Sequence, residues 1–163
     1  MHHQLLTEPE TIQDLEVAAA ERLNEAKALV AEGQATGGAY LAGYVAEMVL
    51  KMAAFRVNGH LPTTAVYPLL APALHRARIA YGPNIDYQSY HGVLFWALVL
   101  ADDRNRLGLA TPIARHAVNR AQRINQIWSV NMRYRAGLVA QQDAVLLLND
   151  VGWMHSNRLR LWS

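Results

Sequence analysis

The sequence predicts an all-α protein, an antiparallel helical bundle of five to seven helices. Apolar residues recur at helical spacing along most of the chain, and no Asn-Gly or Asp-Gly turn joins two alternating apolar runs as in a β-hairpin. The 163 residues are 52% apolar and 17% charged, which is enough apolar material for one folded core. We therefore expect residues 1–163 to form a single domain.

The segment from residue 37 to residue 58 predicts the central helix, of about six turns. It is apolar on two opposite faces, so we expect it to be buried on both. The large face holds Leu41, Tyr44, Val45, Met48, Met52 and Phe55, and the small face holds Ala39, Ala42, Gly43, Ala46, Leu50 and Ala53. The narrow polar strip between them carries Glu47 and Lys51 beside Tyr40, at the i,i+4 spacing that suits an ion pair.

A first helix precedes the central helix and should pack against it as an antiparallel hairpin. We expect it to begin near Pro9, with Thr7 as its N-cap, and to run to about Glu32. Gly33 is a typical residue for the end of a helix, and residues 36–38, Thr-Gly-Gly, are expected to form the turn. The apolar stripe of this helix consists of Ile12, Leu15, Ala19, Leu23, Ala26 and Val30.

Proline and glycine divide the rest of the chain into further helices. The predicted helices cover residues 66–81, 89–104, 112–128 and 141–158, with a turn at 82–84 and a loop at 129–139. Pro68 and Pro72 forbid one uninterrupted ideal helix, so the first of these is either kinked or divided in two. Thr111 and Pro112 give a strong start signal, as the N-cap and the first helical residue.

Charge is distributed unevenly along the chain. Residues 1–58 hold eight acidic and four basic residues, whereas residues 59–163 hold five acidic residues and eleven basic ones, all of them Arg. Arg suits bidentate contacts with phosphate or carboxylate. The second half therefore either docks a phosphate-bearing or acidic partner, or balances the acidic first helix within the fold.

The predicted helix over residues 112–128 carries the clearest candidate site. Arg120 lies on its apolar face, with His116 and Arg123 at the edge of that face. A buried Arg requires an acceptor, because an unpaired buried charge is costly. One interpretation is an anion pocket formed by these three residues. The other is a structural ion pair in which Glu47 or an acidic residue of the first helix is the acceptor.

The sequence lacks the motifs of several common metal-binding, phosphate-binding and catalytic sites. The seven His residues include no i,i+4 zinc pair, cysteine is absent, and neither a glycine-rich phosphate loop nor a nucleophile elbow is present. We therefore predict no metal and no cofactor. Trp96, Trp128 and Trp153 are expected in the core, whereas Trp162 is a candidate interface anchor. The N-terminus has no signal-peptide pattern and no apolar run would span a bilayer, which favours a cytoplasmic protein without membrane contact.

Three segments, taken in order, resemble the HEPN domains of prokaryotes. Residues 18–33 are similar to the first helix of that family, and residues 37–51 to its second, including the Tyr-rich start and the Glu47–Lys51 pair. MRYR at residues 132–135 resembles the Arg-Tyr element before the last helix. Residues 60–88 would be an insertion. The resemblance implies an antiparallel bundle, often a homodimer, and many members partner a minimal nucleotidyltransferase in toxin–antitoxin pairs.

Other members of that family are metal-independent RNases, which use an Arg, a polar residue and then a His about one and a half turns further on. This chain departs from the pattern: Arg56 and His60 are one residue too close, and Arg104 and Arg106 precede His116 by too much. Catalysis therefore does not carry over.

The binding residues that the resemblance and the helical patterns indicate are Tyr40, Glu47, Lys51, Arg120, Arg123, Arg133 and Tyr134. We expect a binding or regulatory module for a nucleotide, an RNA or a partner nucleotidyltransferase. The alternative is a metal-independent endoribonuclease in which His116 is the general acid or base while Arg120 and Arg123 clamp phosphate. A structural subunit that meets an acidic protein surface is a third possibility.

Overall fold

The computed structural model describes residues 10–82, 91–129, 131–132 and 137–163. Within these ranges it contains seven helices and no strand, apart from an isolated bridge between Thr11 and Ala65, which confirms the all-α bundle. The helices are α1 Ile12–Ala31, α2 Ala35–Val57, α3 Tyr67–Tyr81, α4 Val93–Arg106, α5 Pro112–Ile127, α6 Gln141–Ser156 and α7 Arg158–Trp162. None of them combines the length and apolar character needed to cross a membrane.

Helix α2 lies at the centre, in contact with α1, α4, α6 and α7. Its small face is fully buried, as at Ala42 and Ala46, and so are Val45 and Phe55 on its large face, which agrees with the prediction. Small residues allow close helix packing here: a Cβ built at Gly38 would lie 2.4 Å from a Val30 methyl group on α1. Burial on both faces makes α2 the element around which the others are arranged.

The predicted start of α1 and the predicted hairpin turn are both wrong. Thr11 is the N-cap, and it forms a reciprocal capping box with Asp14, so the helix begins later than Thr7 and Pro9 suggested. Those two residues lie outside the described ranges. The turn falls at residues 32–34, where Gly33 adopts a φ of 77°. Residues 36–38 belong to α2, because the small residues there pack against α1 rather than bend the chain.

The predicted start of the helix over residues 89–104 also differs from the observed one. Helix α4 begins at Val93 rather than at Ser89, which lies outside the described residues. The predicted last helix, residues 141–158, corresponds to α6, which ends at Ser156, and a separate short helix, α7, follows it. Residues 67–81 form one helix, with Pro68 in its first turn and Pro72 inside it.

Four arginines of the second half pair with two buried acids of that same half. Asp103 is 1% exposed and accepts hydrogen bonds from Arg76 and Arg106, and Asp150 accepts from two more arginines. Arg158 reaches an acid of α1 instead, Glu16, at 3.1 Å. Pairing within the second half therefore accounts for more of these arginines than this contact with the acidic first helix does.

Candidate anion-binding site

A cavity of about 670 Å³ lies where the end of α4, the start of α5, α6 and α7 meet. Its polar and aromatic lining consists of Arg104, Thr111, His116, Arg120, Trp153 and Arg160. No Asp or Glu of the described chain lines it. The volume falls in the range of small-ligand pockets, and the lining carries an excess of positive charge.

The start of α5 forms one wall of this cavity. Thr111 is the N-cap residue and Pro112 follows it, as predicted, but the Thr111 hydroxyl makes no capping hydrogen bond to the helix. It accepts instead from Nη2 of Arg104, at 3.2 Å. The positive end of the α5 dipole, which favours anions, therefore borders the cavity without a capping side chain.

Arg104 is the most deeply buried cation in the wall, with 2% of its surface exposed. Its guanidinium donates to the backbone oxygens of Leu109, Leu161 and Ser163, at 3.1, 2.7 and 3.0 Å. The Leu109 and Leu161 carbonyls and the Thr111 hydroxyl are neutral acceptors, whereas Ser163 is the last residue of the sequence. Burial lowers the pKa of Arg104 below its usual value. Arginine nevertheless stays protonated in proteins, and none of its hydrogen bonds goes to an Asp or Glu side chain of the described residues.

Arg120 and Arg123 share one carboxylate, that of Asp150 on α6. Arg120 donates through Nη1, while Arg123 donates through both Nε and Nη2, and this pairing raises the pKa of Arg123. The predicted acceptors of Arg120, Glu47 or an acid of α1, are therefore wrong. Asp150 is closer because α5 and α6 pack side by side.

The three residues of the predicted anion pocket do not all line the same cavity. Arg120 lines the cavity, its guanidinium carbon lies 4.5 Å from the centre of the Trp153 ring, and its buried Nε has no hydrogen-bond partner. His116 also lines the cavity, 6.2 Å from the same ring. Arg123 lines a separate groove between α5 and α6 together with Asp150. The structure thus brings His116 and Arg120 together and places Arg123 elsewhere.

The predicted pair of Glu47 and Lys51 is present, but it lies outside the cavity. The Glu47 side chain is 4% exposed, and its Oε1 accepts from Lys51 and lies 3.2 Å from Nδ1 of His91. Its other oxygen, Oε2, is buried without a hydrogen-bond partner. The hydroxyl of Tyr40 bonds to that of Tyr44, at 3.2 Å. Glu47 and Lys51 thus form a partly desolvated ion pair.

Sequence reasoning missed several cavity residues. Arg104 enters the sequence prediction only through the RNase pattern, and Arg160 is not among the predicted site residues. Trp96, Trp128 and Trp153 are all expected in the core; Trp96 and Trp128 are buried, but Trp153 is only half-buried and lines the cavity. The one sequence signal for this cavity was Arg104, a charged residue at the end of the apolar helix predicted over residues 89–104. Arg133 and Tyr134 lie outside the described residues. No group of three or more His, Asp or Glu in the described ranges could hold a metal ion.

The fold and the cavity define a helical bundle with a cationic, aromatic-walled pocket. Comparison with family models, with curated proteins and with solved structures found no match for this chain. The resemblance to HEPN domains therefore stays a prediction. What the chain does has to be inferred from the cavity itself.

Proposed function

We propose that this protein is a binding module for a phosphate-bearing ligand, and that a nucleotide suits the cavity best. The observation that carries the proposal is the lining: Arg104, Arg120 and Arg160 face one cavity that no described acid lines. Arginine binds phosphate through parallel N–H donors, and an uncapped helix start adds to the attraction. Trp153 adds an aromatic surface of the kind against which a base packs.

The other ligands expected from the sequence receive less support from this geometry. A protein that binds an RNA strand usually carries a stripe of basic and aromatic residues along the path of that strand. Here the arginines converge on one cavity instead. A partner nucleotidyltransferase, a homodimer and a cytoplasmic location stay proposals that rest on the resemblance and on the sequence pattern. Membership of a toxin–antitoxin pair is likewise a proposal that rests on the resemblance.

Arg120 and Arg123 provide a matched test, because both donate to Asp150 but only Arg120 lines the cavity. We expect Arg120→Gln to weaken AMP binding by about tenfold, the loss of roughly one charge-assisted hydrogen bond. Arg123→Gln should weaken it by clearly less, because Arg123 does not line the cavity and affects the ligand only through its share of the Asp150 charge. Isothermal titration calorimetry of both folded variants measures this. Equal losses, or no AMP binding by the wild type, would overturn the proposal.

A metal-independent endoribonuclease is the second candidate, and one observation favours it: His116 and Arg120 line the same cavity. His116 would be the general acid or base, and Arg120 would bind the scissile phosphate. Arg123 would take no part, because it faces the other groove. RNA cleavage in EDTA that is lost in a folded His116→Ala variant would replace the binding module with this activity. Absence of cleavage removes the candidate.

A further inference from the structure

We propose that the cavity is selective for a phosphomonoester, a terminal phosphate carrying two negative charges, over a phosphodiester carrying one. This inference rests on the proposed function and narrows its ligand class. It follows from the balance of charge in the lining, where arginines from α4, α5 and α7 meet and acidic residues of the described chain are absent.

Two of the three cavity arginines pair with no Asp or Glu side chain of the described residues. Arg104 donates to the carbonyls of Leu109 and Leu161, to the Thr111 hydroxyl and to an oxygen of Ser163, the last residue of the sequence, so the charge of Arg104 is left out of the count. Arg160 donates to the amide oxygen of Asn157, at 3.0 Å. Arg160 therefore brings a full positive charge to the cavity.

The third arginine contributes part of a further charge. Arg120 and Arg123 share the single negative charge of Asp150, so the trio keeps a net charge of about +1 on the side where Arg120 meets the cavity. A phosphodiester would leave at least one positive charge uncompensated. A phosphomonoester carries about −1.5 to −2 at neutral pH and so matches the charge of Arg160 together with the net charge of the Arg120, Arg123 and Asp150 trio.

The available hydrogen-bond donors agree with this count. A guanidinium has five N–H groups, and the buried Nε of Arg120 has no acceptor in the structure. A phosphomonoester presents three terminal oxygens, one for each of the three arginines, whereas a phosphodiester presents two. Charge and donor number therefore favour the same ligand class. Nucleoside monophosphates and sugar phosphates share this group.

The test compares three adenosine ligands that differ at the phosphate, together with ribose 5-phosphate, which keeps the phosphomonoester but lacks the base. We would titrate the full chain with AMP, 3′,5′-cyclic AMP, adenosine and ribose 5-phosphate at about pH 8, where a phosphomonoester is fully dianionic. AMP should bind at least about tenfold more tightly than cyclic AMP, and adenosine should not bind. If ribose 5-phosphate binds as tightly as AMP, the result would support selectivity for a phosphomonoester. It would also identify the ligand class as a sugar phosphate rather than a nucleotide.

Arg160→Gln is the informative variant, because Arg160 is exposed and its removal leaves the buried contacts of Arg104 in place. It should weaken AMP more than cyclic AMP and so reduce their affinity ratio. Arg115→Gln, at an exposed arginine of α5 outside this cavity, should leave the ratio unchanged. Equal affinities of AMP and cyclic AMP would overturn this inference and leave the proposed function standing. Failure of every phosphate to bind would overturn both.

Discussion

Gly43 of α2 lies directly against the indole ring of Trp128, and a Cβ built there would be 2.1 Å from Nε1. The ring cannot move away freely, because Trp128 is 3% exposed and its Nε1 donates to the Tyr40 carbonyl at 3.0 Å. Gly43→Ala should therefore destabilise the fold by about 1–3 kcal/mol through overpacking. The urea midpoint of unfolding measures the effect.

Gly152 on α6 is the matched control for this substitution. A Cβ at Gly152 would meet nothing within 4 Å, so Gly152→Ala should be neutral or should stabilise the protein by up to about 1 kcal/mol, through helix propensity. Equal urea midpoints for the two variants would show that the contact with Trp128 does not limit the size of the side chain at residue 43 of α2.

His155 predicts a pH-dependent stability. Burial lowers its pKa below 6.5, Arg158 and then Lys27 lower it further, and Glu16 opposes the shift. Because the folded pKa is the lower one, the unfolded chain takes up the proton first as pH falls. The stabilisation is complete above about pH 6.5 and decreases below it. Urea midpoints between about pH 7 and pH 5 should fall less steeply in His155→Gln, and identical slopes would contradict this.

Asp150 shows why the candidate site could be predicted only in part. The position of Arg120 on an apolar helix face was visible in the sequence, and so was its need for an acceptor. The identity of the acceptor was not, because Asp150 lies 30 residues further along the chain and reaches Arg120 only through the packing of α6 on α5. Helical spacing reports which face a residue occupies but not which helix covers that face.

At the scale of single elements, α7 is the shortest helix and packs against α2, α5 and α6. Leu161 is its buried anchor, and Arg104 binds the backbone oxygens of Leu161 and Ser163. A five-residue helix has no stability of its own, so its docking depends on these contacts. Because α7 carries Arg160 into the cavity, docking and ligand binding should be coupled and reciprocal.

Leu161→Ala tests this coupling, since a buried Leu→Ala change costs about 2–5 kcal/mol of packing free energy. We expect faster amide exchange over residues 158–163 together with weaker AMP binding, although Leu161 does not line the cavity. Leu159→Ala, at a 59% exposed leucine of the same helix, should change neither. Faster exchange with unchanged AMP affinity would show that α7 is not needed for the site.

Helices were predictable where apolar periodicity was long, and their ends only where proline or a cap residue marked them. The apolar faces of α2 fixed its position, and Thr111 with Pro112 gave the start of α5. The glycines near Gly33 misled the turn assignment, because the sequence does not distinguish a glycine needed for a positive φ from one needed for close packing, as at Gly38. The break at Asn157 depends on a side-chain bond within one turn.

At the scale of the whole molecule, the cavity joins elements that are distant in sequence. Arg104 on α4, Arg120 on α5 and Arg160 on α7 face one space, with Trp153 of α6 beside them. Such a site exists only when these four helices are packed together. A ligand of this site would therefore bind the folded chain and not the unfolded one, which is the condition for stabilisation by mass action.

AMP should consequently raise the free energy of unfolding of the whole protein. At a concentration of about 100 times its dissociation constant the gain is about 2.7 kcal/mol. Arg160→Gln should lose most of the gain at the same AMP concentration, while Arg115→Gln, outside the cavity, should retain it. Urea unfolding with and without AMP measures the difference, with adenosine as the uncharged control. If AMP binds yet leaves the urea midpoint unchanged, its site does not require the packed helices, and the cavity is not where it binds.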